Sequence, residues 1–161
     1  MKAEIKPIKR SKKLAPLSRE HHDTLLFTWK IRQGIKFGAG SEAIAAYCFW
    51  YWQNHLKDHF KIEEQSLCKI LPADHPMMMK MMDDHQAIEI KIKQLAEYPC
   101  SNGLERLAQI ISYHVRFEER ELFNHIEEVA SDEQMDELYI SLTEQPKECL
   151  PWKNEFWLRS K

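Results

Sequence analysis

Two stretches of the chain, HFKIEEQSL at residues 59–67 and HVRFEEREL at residues 114–122, follow one pattern. Each begins with histidine, has apolar residues at its second and fourth positions and glutamates at its fifth and sixth, and ends in leucine. The histidine and the first glutamate are four residues apart, so in a helix they project from the same face. Both stretches therefore predict helices that present a His–Glu pair to one side.

An internal repeat extends this match to two further helices. Residues 17–21 (LSREH) and residues 81–85 (MMDDH) both begin with an apolar residue and end in an acidic residue followed by histidine. The chain therefore reads as two halves, each contributing one histidine from its first helix and one HxxxE pair from its second. A repeat of this kind is typical of a pseudo-symmetric helical bundle.

The spacing of glycine and proline predicts four long helices joined by short loops. The helices run from about Pro16 to the glycines at 34–40, from Ser41 to about residue 71, from about Met77 to Tyr98, and from about Asn102 to Val129. Asn102 with Glu105, and Ser131 with Gln134, have the spacing of capping boxes, and the second would begin a short fifth helix. The predicted fold is all-α: an up-down-up-down four-helix bundle with a short fifth helix and a C-terminal tail.

Three regions are predicted along the chain. Residues 1–13 are charged and contain no long apolar run, which predicts a flexible arm. Residues 14–145 form the predicted bundle. Residues 146–161 form a tail that we expect to pack on the bundle through its aromatic residues.

The composition argues against several classes of function. The chain has 161 residues, 43% hydrophobic and 30% charged, with four glycines and a formal net charge of −2. This balance predicts neither a nucleic-acid partner nor an anionic membrane surface, and no apolar run approaches the ~20 residues of a membrane span. The four cysteines are scattered without a CxxC, and the basic N-terminus lacks the apolar core of a signal peptide. We therefore expect a protein of the reducing cytoplasm. The sequence leaves the oligomeric state open, with a homodimer as one possibility.

The repeated His–Glu pairs predict a metal site. Four helices of this pattern would bring four imidazoles and two carboxylates to one core cavity. Neutral imidazole is a ligand for iron, zinc, copper or nickel, and a carboxylate can bridge two cations through its two oxygens. Burying two unpaired carboxylates would cost several kcal/mol, so a core placement requires cations. The alternative is that these groups face water, as single HxxxE pairs commonly do.

The combined pattern H…HxxxE…H…HxxxE resembles the hemerythrin-like HHE cation-binding family. LSREHH at residues 17–22 and HFxxEE at residues 59–64 are similar to its bacterial members, and the resemblance covers about residues 16–128. It implies a non-haem diiron site, with another divalent cation such as zinc as the alternative. The implied metal ligands, of which the two glutamates would bridge the metals, are His21, His59, Glu63, His85, His114 and Glu118.

The resemblance leaves one metal short of a ligand. Hemerythrins that carry oxygen have a further histidine one turn before the third-helix histidine, and Met81 stands at that position here. Water or hydroxide could complete the site, as could three side chains close in sequence to the implied ligands, which are Glu89, His55 and His22. An incomplete ligand set predicts a centre open to exchangeable ligands.

Three functions are compatible with this pattern. The preferred one is a binding protein whose diiron site binds or senses dioxygen or nitric oxide, with an apolar cavity lined by residues such as Ile62, Ile88 and Phe117. The second is an enzyme that uses the same site for iron redox or peroxide chemistry. No catalytic residue is assigned, and the Glu-x-x-His spacing of ferritin-like sites is absent. The third is a structural bundle whose histidines and glutamates are incidental.

Two further sets of residues have more than one interpretation. The acidic residues next to the implied ligands are either their hydrogen-bond partners or surface groups, and they are Glu20, Glu64, Asp84 and Glu119. The aromatic stretch in the second helix predicts core or interface packing rather than stacking on a cofactor, and it comprises Tyr47, Trp50, Tyr51 and Trp52.

Overall fold

The computed structural model describes residues 10–144 and 151–159, which contain helices and loops but no strand. The all-α class is therefore confirmed for this part of the chain. The α-helices are α1 (Ala15–Lys36), α2 (Ser41–Tyr51), α3 (Lys57–Leu67), α4 (Pro76–Glu97), α5 (Ser101–Phe117), α6 (Phe123–Val129) and α7 (Asp132–Thr143). Two π-helical turns, Trp52–Leu56 and Glu118–Leu122, join α2 to α3 and α5 to α6.

The π turns interrupt the second and fourth predicted long helices without ending them. Residues on both sides of each turn keep right-handed helical backbone angles. One turn precedes His59, whereas the other begins at Glu118, so the two turns lie at different positions of the repeat. A π turn holds one extra residue and changes the face that the following residues present. The structural repeat is therefore less regular than the sequence repeat.

The two predicted capping boxes have different outcomes. At the start of α7 the Ser131 hydroxyl accepts from the Gln134 amide at 3.1 Å, and the Gln134 side chain accepts from the Ser131 amide at 2.9 Å. The capping box predicted from Asn102 and Glu105 is wrong, because α5 already begins at Ser101. The cap there is Cys100, whose sulfur accepts from the Gly103 amide at 3.3 Å.

Buried apolar residues form two clusters, and the histidines and glutamates of the repeat come between them along the helices. The first apolar cluster includes Phe27, Ile31, Leu56, Phe60, Ile88, Ile92, Leu107 and Ile111. The second apolar cluster includes Leu14, Leu17, Leu67, Met78, Met81, Leu122, Phe123 and Ile126. The predicted ligands come between the two clusters in sequence, as His21 does between Leu17 and Phe27. The fold thus places a polar layer between two apolar ones.

The segment 151–159 contacts the bundle through its aromatic residues. Trp157 is only 9% exposed and belongs to the first apolar cluster, and Trp152 and Phe156 pack against that cluster. A Cβ atom on Gly34 would lie 2.6 Å from the Phe156 ring, so this glycine admits the ring. Gly34 therefore lies inside α1 rather than ending it, and the helix continues to Lys36.

The predicted arm and tail fall partly outside the described residues. Residues 1–9, 145–150 and 160–161 are not described, so the predicted division into three regions stays a prediction. Arg10 lies 3.1 Å from the Asn124 side-chain oxygen and 3.3 Å from a Glu127 carboxylate oxygen. None of the described helices is long and apolar enough to cross a membrane.

Candidate metal centre

The six predicted ligand residues lie together in the polar layer of the bundle. Each has at most 5% of its surface exposed, and both glutamates are completely buried. They come from four different helical segments: His21 from α1, His59 and Glu63 from α3, His85 from α4, and His114 and Glu118 from the end of α5 and its π turn. The i, i+4 spacing places each glutamate beside the histidine that precedes it.

These side chains form two overlapping groups with the spacing of metal ligands. The first cation group is His21, His59, Glu63 and Glu118, and the second cation group is Glu63, His85, His114 and Glu118. Within each group one ligand atom from every residue lies within 4.8 Å of the others. Both groups contain the same two glutamates, so each carboxylate stands where it could bridge two cations.

The histidine rings direct their Nε2 atoms toward these carboxylates. His59 Nε2 lies 2.7 Å from Glu63 Oε1, and His21 Nε2 lies 3.5 Å from Glu118 Oε1. His85 Nε2 lies 3.6 Å from Glu63 Oε1 and 3.1 Å from His114 Nε2. Four nitrogens and two carboxylates thus converge on one small volume.

The same atoms lack the hydrogen bonds that buried polar groups normally have. Among the described residues, both carboxylate oxygens of Glu63 and of Glu118, and Nε2 of His21, are buried without a hydrogen-bond partner. The imidazoles approach the carboxylates closely, but without the alignment that a hydrogen bond requires. Leaving these groups unpaired would cost several kcal/mol, whereas cations between them would satisfy all of them. The residues present therefore fit a metal centre.

A carboxylate contacts the outer nitrogen, Nδ1, of every histidine in the centre. Glu119 lies 3.1 Å from Nδ1 of His21, Glu64 lies 3.1 Å from Nδ1 of His85, and Asp84 lies 3.0 Å from Nδ1 of His114. The fourth pair is Glu20 with Nδ1 of His59. An Nδ1–H that donates to a carboxylate leaves the Nε2 lone pair for a metal and fixes the ring orientation.

These four outer carboxylates follow a crossed arrangement. Each is adjacent in sequence to a predicted ligand but contacts a histidine on another helix: Glu20 next to His21 contacts His59, and Glu119 next to Glu118 contacts His21. The sequence alone did not decide whether these residues are hydrogen-bond partners of the metal ligands or surface groups. The signal that could have decided it is that all four recur at matching positions of the repeat.

Comparison with known families agrees with this geometry. A family model described as the hemerythrin HHE cation binding domain matches residues 17–126. The chain belongs to this family. No curated protein and no solved structure matches the chain. The predicted resemblance is confirmed, and all six site residues lie inside the matched segment of the hemerythrin HHE domain. The family match and the two cation groups together support metal binding.

The residues that could have completed the hemerythrin site lie elsewhere in the structure. Glu89 is half-buried with one carboxylate oxygen 3.4 Å from the Lys93 amine, and it joins neither cation group among the described residues. His55 packs against the Trp50 ring, with 5.3 Å between ring centroids, and His22 is exposed. Among the described residues, none of the three candidates belongs to either cation group.

The charge of the buried carboxylates controls the protonation of the histidines. Burial alone lowers the pKa of these rings, because it disfavours the charged form. The carboxylates of Glu118 and Glu119 outweigh burial and raise the pKa of His21 to about 10. In the same way the pKa of His59 rises to about 9 and that of His85 to about 11. Without metal, the centre therefore holds protons at neutral pH in place of cations.

Metal uptake at pH 7 is expected to release protons, because a ring must lose its proton to bind a cation. Protons compete with metal at every pH below the raised pKa values, so affinity should increase with pH through the range of about 9 to 11. Calorimetric titration of metal in buffers of different ionisation enthalpy counts the protons. The variant His22→Ala, altered at an exposed histidine, should release the same number. Uptake without proton release would contradict the assignment.

Proposed function

We propose that this hemerythrin HHE domain holds two iron ions and binds or senses dioxygen or nitric oxide at them. The observation that carries the proposal is the pair of cation groups that share two fully buried carboxylates. In this assignment His21 and His59 would hold one iron, His85 and His114 would hold the other, and Glu63 and Glu118 would be shared between them. Imidazole and carboxylate ligands with open coordination positions are a donor set typical of non-haem iron.

An incomplete ligand set supports binding of a small external ligand. Each metal would receive two imidazoles and two carboxylate oxygens, which leaves positions free on a metal that accepts more ligands. Met81, the residue at the position of the additional histidine, is completely buried in the second apolar cluster. The irons would supply redox chemistry and open coordination positions, and the protein would supply a dry and fixed surrounding.

The surroundings of the site favour a small apolar ligand. A narrow crevice borders His21, His59 and His114, and its other walls are mainly apolar, namely Leu56, Phe60, Ile111 and Val115 with Thr24. The crevice has almost no free volume, so a diatomic molecule would enter only as these side chains move apart, and the apolar walls would favour it over a polar ligand. Ile62, Ile88 and Phe117, the residues predicted to line the ligand cavity, do not line this crevice.

We also infer the predicted up-down-up-down topology of the bundle. Along α1 the chain passes from the second apolar cluster to the first, and along α2 and α3 it passes from the first to the second. The order reverses again along α4, and once more along α5 and α6. An alternation of this kind is what antiparallel neighbouring helices would produce.

A reducing cytoplasmic setting is part of the same proposal. Cys48, Cys68 and Cys100 are free cysteines, and Cys48 is buried. Burial raises the pKa of the Cys48 thiol, which disfavours its reactive thiolate form. These observations are in keeping with the predicted location, which stays a prediction, as does the choice between monomer and homodimer.

Metal analysis of the anaerobically purified chain tests the proposal. We expect two irons per chain, near-ultraviolet absorption of a bridged iron pair after exposure to air, and a spectral change on addition of azide or nitric oxide. Iron with no response to either ligand would argue against a binding or sensing role. Stoichiometric zinc alone would identify a different cation site. Absence of any bound metal would leave only the structural bundle.

A further inference from the structure

A cavity of about 420 Å³ lies beside the metal centre, between α1, the α2 segment with its π turn, and the segment 151–159. His59 and its outer carboxylate Glu20 form part of its wall. The cavity is many times larger than the space that a single water molecule needs. This volume is far larger than a diatomic ligand needs and lies within the range of small-molecule sites.

Six aromatic side chains line the cavity. The rings that line it are Phe27, Tyr47, Trp50, Tyr51, Trp152 and Trp157. Tyr47 lies 5.4 Å from Trp152 and 5.5 Å from Trp157 between ring centroids, so rings from α2 and from the C-terminal segment face a common space. Aromatic faces carry negative partial charge and attract cations, most strongly when the rings are tryptophan or tyrosine.

The charged residues around the cavity also favour a cation. Glu20 is already in contact with Nδ1 of His59, and the other two carboxylates on the wall, from Asp23 and Glu155, stand against one ammonium group from Lys30. An anionic ligand would meet an excess of like charge, whereas a cation would meet opposite charge. One cation already lies against this wall, because the Nζ atom of Lys30 is 4.2 Å from the centroid of the Trp157 ring.

One wall of the cavity comes from a part of the chain that the family match does not include. The matched segment ends at residue 126, whereas Trp152, Glu155 and Trp157 come from residues 151–159. The C-terminal segment therefore completes a cavity whose other walls lie inside the matched domain. The aromatic stretch of α2, predicted to serve packing alone, both packs in the core and lines this cavity.

We propose that this cavity binds a small organic cation, an amine or quaternary ammonium compound that carries an apolar group. The ammonium would lie against the tryptophan and tyrosine faces near Asp23 and Glu155, and the apolar group would lie on Phe27 and Leu56. The proposal stands on the cavity alone and does not require iron in the neighbouring centre.

Three probes that share one ring and differ in charge test the proposal: benzylammonium, benzyl alcohol and benzoate. Calorimetric titration of the full chain, with and without metal, should give binding of benzylammonium about tenfold tighter than of benzyl alcohol, and none of benzoate. Equal affinity for the cation and the alcohol, or tighter binding of benzoate, would overturn the proposal. Because the metal-free chain is titrated as well, a failed iron assignment and a failed cavity assignment give different results.

Two substitutions with opposite expected effects test the site itself. Trp152→Ala removes one aromatic wall and should weaken benzylammonium binding about fivefold. Lys30→Met removes the ammonium that already occupies Trp157 and should strengthen binding about threefold, since a competing like charge is lost. Trp29→Ala is the matched control, because Trp29 lies on α1 with 47% of its surface exposed and does not line the cavity. Weaker binding in the Lys30 variant, or no change in the Trp152 variant, would contradict the assignment.

Discussion

Replacing Glu63 or Glu118 with alanine is expected to remove both metals from the chain, although only one side chain is lost. Each glutamate belongs to both cation groups, so its loss takes a ligand from each metal at once. The variant should also unfold at lower temperature, because the buried imidazoles lose the carboxylate that compensates their charge, at a cost of about 3–5 kcal/mol. Metal analysis and thermal unfolding of the same preparation measure the two effects.

A histidine variant provides the matched comparison. His21→Ala alters the first cation group only, so we expect this chain to lose one metal and retain the other. Glu121→Ala, at an exposed glutamate on the same π turn as Glu118, should change neither metal content nor stability. Unchanged metal stoichiometry in both Glu63→Ala and Glu118→Ala would rule out their bridging role.

Replacing an outer carboxylate with alanine is expected to weaken the binding of one metal and to leave the binding of the other unchanged. Glu20 contacts His59 of the first cation group, and Glu64 contacts His85 of the second. Loss of such a partner releases the ring orientation and typically lowers metal affinity by about 10–100-fold. Competition with a chelator, followed by the metal content of each variant, should therefore show one weak and one tight metal in both Glu20→Ala and Glu64→Ala.

The control for this pair is also a test of an alternative ligand. Glu89 is half-buried one turn beyond His85 and belongs to neither cation group among the described residues, so Glu89→Ala should retain both metals at unchanged affinity. If this variant loses a metal as readily as the Glu64 variant, then Glu89 completes the coordination of the second metal. If the loss of a single outer carboxylate weakened the binding of both metals equally, the crossed arrangement would be contradicted.

Local patterns in the sequence account for much of this site. The i, i+4 spacing of His59 with Glu63 and of His114 with Glu118 fixes each pair on one helix face, and this follows from helix geometry alone. The internal repeat then predicted which single histidines would meet these pairs. The six residues do lie together, because all of them depend on the same alternation of apolar and polar positions.

Other features depend on contacts between distant segments and left no comparable signal. A π turn differs from an α-helical turn by one residue, and nothing in Trp52–Leu56 or Glu118–Leu122 marks it in the sequence. The aromatic cavity requires Trp157 to meet Tyr47, which is more than a hundred residues away. The cap of α5 was misplaced because Cys100, an uncommon capping residue, performs the role expected of Asn102.

The crossed carboxylates bear on how the two halves of the chain depend on each other. Each half supplies two histidines and one glutamate to its own cation group, yet it takes the second glutamate and one outer carboxylate from the other half. Neither half therefore contains a self-sufficient metal position, even though the sequences of the two are alike. A fragment ending in the loop before Pro76 would be an incomplete module that needs its complement, and the metals would act as the link that holds the two fragments in register.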